Sequence, residues 1–398
     1  MAVSPISRTG TKRSGRPWPT AEHRQSVGFV STFPPTRCGL ATFTASLAGA
    51  LPPGWRTGVV SCVDQPGETA SSPGVLHEWV RGSRSSLRRA ARALDGFDTV
   101  VVQHEFGLFG GPDGQDILDL VAELTAETLI VVMHTVLESP SRNQRRIVEA
   151  LAAAADRVVV QSEVARRRLR AAHTLEASRV AVIQHGAPAN LGPPRPHGPS
   201  RRPVVLTWGL LGPGKGIEHA IEALASLRDL DPLPRYVVLG QTHPNIVRRS
   251  GEAYRASLQA LAAERGVEDM IQFDDAYRST SEVLAEIREA DVVLLPYLSR
   301  DQVVSGVLVE AIASGKPVVS TAFPHAVELL SAGSGIVVPH EDPAAIAGAL
   351  RALLTDRATA SIAAAVARTQ AASLTWETVA AQYRELASGV TRERALAG

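Results

Sequence analysis

The stretch Ser299-Arg-Asp-Gln-Val-Val-Ser-Gly-Val-Leu-Val-Glu310, continuing into Ala-Ile-Ala-Ser-Gly-Lys-Pro-Val-Val-Ser320, decides how this chain is read. It follows the apolar run Asp291-Val-Val-Leu-Leu-Pro296, so a strand leads through a loop and a small-residue turn into a helix. Ser305 and Gly306 would leave backbone N–H groups free at the helix N-terminus, where aligned peptide dipoles favour an anion such as a diphosphate. Glu310 falls a little over one turn further on, within reach of ribose hydroxyls on the same ligand. A solvent-facing glutamate is the plainer account of Glu310. Yet Val307, Leu308, Val309, Ala311 and Ile312 around it are apolar, and a carboxylate in such a stretch needs a partner. Together these residues predict a nucleotide ligand.

Outward from this segment the chain alternates between two periodicities. Short β-branched runs at 27–32, 58–63, 99–103, 128–133, 157–160 and 180–183 are separated by Ala- and Leu-rich amphipathic segments at 42–51, 85–94, 116–124, 143–155 and 163–172. That is the pattern of a parallel sheet with crossover helices, and it repeats between residues 204 and 370. Six prolines between Pro188 and Pro203, with Gly192 and Gly198 among them, predict a linker over 187–203. The expected organisation is therefore α/β. A basic disordered tail over 1–25 precedes a first doubly wound domain over 26–186, and a second follows over 204–370. A last helical segment over 371–398 is built around Trp376. Ligands of such a pair bind in the cleft facing the carboxyl ends of the strands.

Composition narrows the partners. Forty-one Lys plus Arg against forty Asp plus Glu leave a net charge of +1, which gives no field to recommend nucleic acid. Cys38 and Cys62 are too few for a disulfide framework and read as thiols of a reducing cytoplasm. No apolar run approaches the ~20 residues of a membrane-spanning helix. Arg8, Lys12, Arg13, Arg16 and Arg24 read as part of a disordered tail, with a basic arm touching a membrane surface as the sharper alternative.

Several further motifs, in order, carry a resemblance. They are Phe33-Pro-Pro-Thr-Arg-Cys-Gly39, Gln103-His-Glu-Phe-Gly107, Val132-Met-His134-Thr and Trp208-Gly-Leu-Leu-Gly-Pro-Gly-Lys-Gly216, followed by the segment from Ser305-Gly306 to Glu310. With them the chain resembles, from about residue 26 to 386, the retaining nucleotide-sugar-dependent glycosyltransferases of GT-B architecture, family 4, also called glycosyl transferases group 1. The resemblance implies two Rossmann-like domains with an interdomain cleft, and a closing helix that crosses back to the first domain. It implies a nucleoside diphosphate sugar as co-substrate, no cofactor and no required metal. The implied donor-binding residues are Gly39, Gly209, Lys215, Gln302, Ser305, Gly306, Val307 and Glu310, and the implied catalytic residues are His134, Lys215 and Glu310. His104 and Glu105, by contrast, are placed on the acceptor side by their position after the run at 99–103 and before a loop with Gly107, Gly110, Gly111 and Gly114, which either closes over an acceptor or simply connects.

Each residue also has a plainer reading that the sequence leaves open. Gly39 serves equally as a turn glycine or as a place for close phosphate approach. Lys215 is either a solvated lysine or a point charge for a diphosphate. His134, ending the run Leu129-Ile-Val-Val-Met133, is either a structural histidine or a sugar contact at the cleft rim. His185 belongs to a hinge more than to the chemistry.

Two positions depart from the family pattern. Gln302 stands where the first of two paired glutamates is usual, and Leu210 stands where the glycine-lysine loop usually carries arginine. Losing that cation removes a contact worth ~1.5–3 kcal/mol. Arg300, before the Ser305-Gly306 turn, and Arg37, in the first glycine loop, are the candidates to replace it. The expected reaction is hexosyl transfer to an acceptor hydroxyl with retention. The alternatives are a nucleotide-sugar epimerase of the same build and a catalytically silent nucleotide-sugar-binding protein.

Overall fold

The computed structural model describes residues 25–192, 201–276 and 278–397. The expected tail over 1–25 thus lies almost wholly outside the described residues, as do residues 193–200 of the expected linker. The chain divides into two units, residues 1–186 with 376–398, and residues 187–375.

The first unit holds strands β1 (Ser26–Ser31), β2 (Arg56–Val63), β3 (Val75–Val80), β4 (Thr99–His104), β5 (Thr128–Met133), β6 (Arg157–Val160) and β7 (Val180–Val182). They form one parallel sheet in the order β3-β2-β1-β4-β5-β6-β7. Because the order reverses at β1, the carboxyl ends of β1 and β4 open onto the switch point where such sheets bind ligands. On one face Phe29, Val101, Ile130, Val132 and Val159 pack against Phe43 and Leu47 of the helix Gly39–Gly49. Trp376, Val379 and Tyr383 of the last helix, Trp376–Ala397, join the same core.

The second unit holds β8 (Val204–Trp208), β9 (Arg235–Leu239), β10 (Ile271–Asp274), β11 (Val292–Leu295), β12 (Val318–Thr321) and β13 (Gly335–Val338), again all parallel, in the order β10-β9-β8-β11-β12-β13. Every residue of β8 and β11 is buried, which is why both strands read as near-continuous apolar runs, with Thr207 as the one polar residue, rather than alternating ones. Val205, Tyr236, Val238 and Leu294 face one apolar layer, and Leu206, Val237, Val293 and Leu295 face the other.

Several boundaries differ from the sequence reading. The first helix starts at Gly39 rather than at 42, because Cys38 caps it: its Sγ accepts the Ala41 N–H at 3.4 Å. A thiol cap carries a weak sequence signal beside Ser, Thr, Asn or Asp. Strand β3 was not anticipated; it is a half-exposed edge strand whose His77 and Glu78 break the apolar pattern. Of the expected linker, residues 187–192 belong to the second unit. Ala187 N donates to Leu374 O at 2.7 Å, and Asn190 Nδ2 donates to Ser314 Oγ at 2.9 Å. Both cysteines are free thiols.

Candidate functional site

In the second unit the site is built where β8, β9 and β11 end. After Trp208 the chain turns at Gly209, and a Cβ at Gly240, after β9, would lie 2.2 Å from Gly209 O, so the two loops approach backbone to backbone. Leu211 N then donates to Gln241 O and His243 N to Leu211 O, each at 2.8 Å. A short 3₁₀ turn, Pro213–Lys215, ends at Gly216, whose φ of +62° and close approach to Pro296 O leave no room for a side chain. This seats Lys215 over the exit of β11, with Nζ 4.1 Å from the centroid of the Tyr297 ring. Leu210, Lys215, His243, Asn245, Ile246, Tyr297 and Gln302 are among the residues that line an open pocket of ≈ 400 Å³ here.

The helix Gly306–Ala313 starts beside that loop, for Val307 Cγ2 lies 4.0 Å from where a Gly209 Cβ would stand. Ser305 is its cap, with Oγ accepting the Leu308 N–H at 3.3 Å. The expectation that Ser305 offers a free N–H fails, because that N–H donates to Nδ1 of the buried His325 at 2.9 Å. Gly306 and Val307 retain N–H groups without a partner among the described residues. Glu310 is half-buried on the same helix and accepts the Trp208 Nε1–H at 3.1 Å. Desolvation pushes its carboxyl up to about 6, against the lowering effect of the Trp208 bond. Gln302 turns its amide inward, donating to Val304 O at 2.9 Å. Arg300 is exposed and pairs with Glu341 at 3.0 Å, and it does not line the pocket.

The remaining predicted residues lie in the first unit. His134 is half-buried at the end of β5, with Nε2 2.6 Å from Gln103 Oε1 and Nδ1 3.1 Å from Gln161 Nε2. With the amides so oriented, Nδ1 accepts and Nε2 carries the proton, so both nitrogens of a neutral ring are occupied. Burial drives its pKa down to about 3, with the neighbouring His185 and His104 adding to the effect. Phe43 contacts His134, His185 and Trp376 edge-on, with centroids 4.9, 5.0 and 5.0 Å away. His185 therefore sits in the same cluster as His134 rather than standing apart from it. His104 is fully buried with neither ring nitrogen bonded, which contradicts a place on an acceptor-facing rim. It occupies the opposite face of the sheet, edge-on to Phe106 at 5.0 Å, because adjacent residues of a strand point to opposite sides. Glu105 accepts from Phe106 N at 3.0 Å and also bonds Thr135. Arg37 is exposed beside Cys38. Gly39 is the first residue of its helix, with open space where a side chain would stand.

Residues 194–370 match the family described as Glycosyl transferases group 1. That segment belongs to the group 1 glycosyltransferases. It is 32% identical over 278 residues to a D-inositol 3-phosphate glycosyltransferase of Corynebacterium glutamicum, an alignment covering 66% of this chain and 65% of that protein. The chain thus spans just under two thirds of the length of such curated relatives. Among solved structures it resembles Anabaena HepE in complex with UDP and glucose, with a TM-score of 0.70 and 19% identity over 92% of this chain and 100% of that one. Sucrose-phosphate synthase from Thermosynechococcus elongatus superposes with a TM-score of 0.69 and 20% identity over 94% of this chain and all of that one. These two likenesses show the GT-B fold.

Four contributors escaped the sequence reading: Trp208 as the partner of Glu310, His325 behind Ser305, and the amides of Gln103 and Gln161. A tryptophan closing a buried strand needs somewhere to place its N–H, and that signal was available for Trp208. Among the described residues no group of three or more His, Cys, Asp or Glu side chains is placed to hold a metal ion. No helix there is long and apolar enough to cross a membrane.

Proposed function

We propose that this chain transfers a hexosyl group from a nucleoside diphosphate sugar to an acceptor hydroxyl with retention at the anomeric carbon. The observation that carries the reading is the convergence of Lys215, the Gly306 and Val307 amides and Glu310 where β8 and β11 end. Glu310 takes the ribose hydroxyls, while the lysine, the two amides and the helix dipole take the diphosphate. The acceptor oxygen bonds to the anomeric carbon on the face from which the phosphate oxygen leaves, and that oxygen receives the acceptor's proton. The charge of the leaving group falls to these groups rather than to a metal ion. His134, with both nitrogens engaged, contributes shape and position rather than proton transfer.

The relatives suggest where to begin: UDP-glucose, since HepE binds UDP and glucose, and inositol 3-phosphate as acceptor. Incubation with UDP-, GDP- and ADP-sugars should release the diphosphate with one donor and give a product whose anomeric configuration matches that donor. An inverted product would exclude the mechanism. Leu210 and Gln302 favour one rival, a silent nucleotide-sugar-binding protein, for which donor binding would occur without diphosphate release under any acceptor.

A further inference from the structure

We propose that His243 is a second phosphate-binding group of this site, taking the place left without a cation at Leu210. The inference rests on the glycosyl-transfer reading and deepens it by naming what meets the terminal phosphate beside Lys215. Lys215 is one point charge, already held against Tyr297, and a phosphate needs donors from more than one direction. The other candidates within the second unit are engaged elsewhere: Arg300 with Glu341, and the Gln302 amide with Val304 O.

His243 faces the same pocket as Lys215 from the loop after β9. Its Nδ1 accepts the Asn245 N–H at 3.1 Å, which leaves the proton on Nε2. That Nε2–H has no partner among the described residues, and His243 is one of the residues lining the pocket. The backbone holds it there: Leu211, four residues before Lys215, pairs with Thr242 in an isolated parallel bridge, and His243 N donates to Leu211 O. The two loops therefore carry lysine and imidazole as one strapped unit. An N–H donated to a phosphate oxygen is a charge-assisted bond, so its removal should weaken binding by roughly ten- to a hundredfold.

The test is calorimetric titration of the full chain with UDP, GDP and ADP and with the matching monophosphates. His243→Ala should weaken the diphosphate roughly tenfold or more while the monophosphate changes less than about twofold, and His243→Gln, which keeps a donor, should recover part of the loss. Equal losses for both ligands would make the residue structural and overturn the inference, as would no loss in a variant whose melting temperature is unchanged. If the unsubstituted chain binds none of the three diphosphates, the glycosyl-transfer reading itself falls and this inference with it.

Discussion

Trp208 and Glu310 meet where β8 ends: the indole Nε1–H donates to the Glu310 carboxylate at 3.1 Å, joining the strand to the helix Gly306–Ala313. A half-buried carboxylate with one protein donor has oxygen lone pairs left over, and those are what a ribose would use.

The same carboxylate makes stability depend on pH in a defined direction. Its pKa is about 6 in the fold against 4.5 unfolded, so the folded chain binds the extra proton and this contribution is complete below pH 4.5. It is lost as pH rises through 6. Glu310→Gln should remove roughly 2 kcal/mol of pH dependence between those limits, leaving the variant relatively more stable above pH 6. Denaturant melts of both proteins at pH 4.5 and 7 check this, and donor affinity should fall at least tenfold in the variant.

How much of this was legible follows from where each signal lives. The two sheets were, because strands such as Val292–Leu295 are apolar along their whole length and the helices between them keep a regular period. The spacing also places Lys215 in the loop after β8, and Gly306 and Glu310 on the helix after β11; their part in binding a donor belongs to the proposal. The free N–H assigned to Ser305 was wrong because its acceptor, His325, is twenty residues away and only the fold brings it back. His104 and His134 looked alike as strand-end histidines. Their difference is which face of the sheet each occupies, a matter of register that a six-residue apolar run does not disclose.

The His134 network predicts a ring that stays neutral in acid. Its pKa is near 3, and those of His104 and His185 are near 4, all lowered chiefly by burial from 6.5. A group depressed in this way adds stability that is complete above pH 6.5 and is lost as pH falls towards 4. Gln103→Glu keeps the acceptor for Nε2, removes an unbonded amide nitrogen and adds a charge, so the His134 pKa should rise by roughly 1–3. Imidazole chemical shifts followed against pH would show it, and an unmoved titration would mean that the ring is not held as described.

The glycines separate structural need from ligand need. Gly216→Ala places a side chain against Pro296 O at positive φ and should cost at least about 2 kcal/mol, read as a lower melting temperature. Gly39→Ala meets open space at the start of a helix and should change stability by less than about 0.5 kcal/mol. A fall in transfer rate for Gly39→Ala at unchanged stability would assign that glycine to ligand approach, and an unchanged rate would make it a turn residue.

In the proposed function, residues 187–375 seat a nucleoside diphosphate with its terminal phosphate at Lys215 and its ribose at Glu310. A crystal structure of the full chain with UDP, or with GDP or ADP if those bind instead, tests it most directly. Phosphate oxygens should then lie within about 3.2 Å of Lys215 Nζ and of the Gly306 and Val307 nitrogens, with ribose hydroxyls on the Glu310 carboxylate. A nucleotide seated elsewhere, with Lys215 still resting on Tyr297 and Glu310 bonded to Trp208 alone, would contradict it.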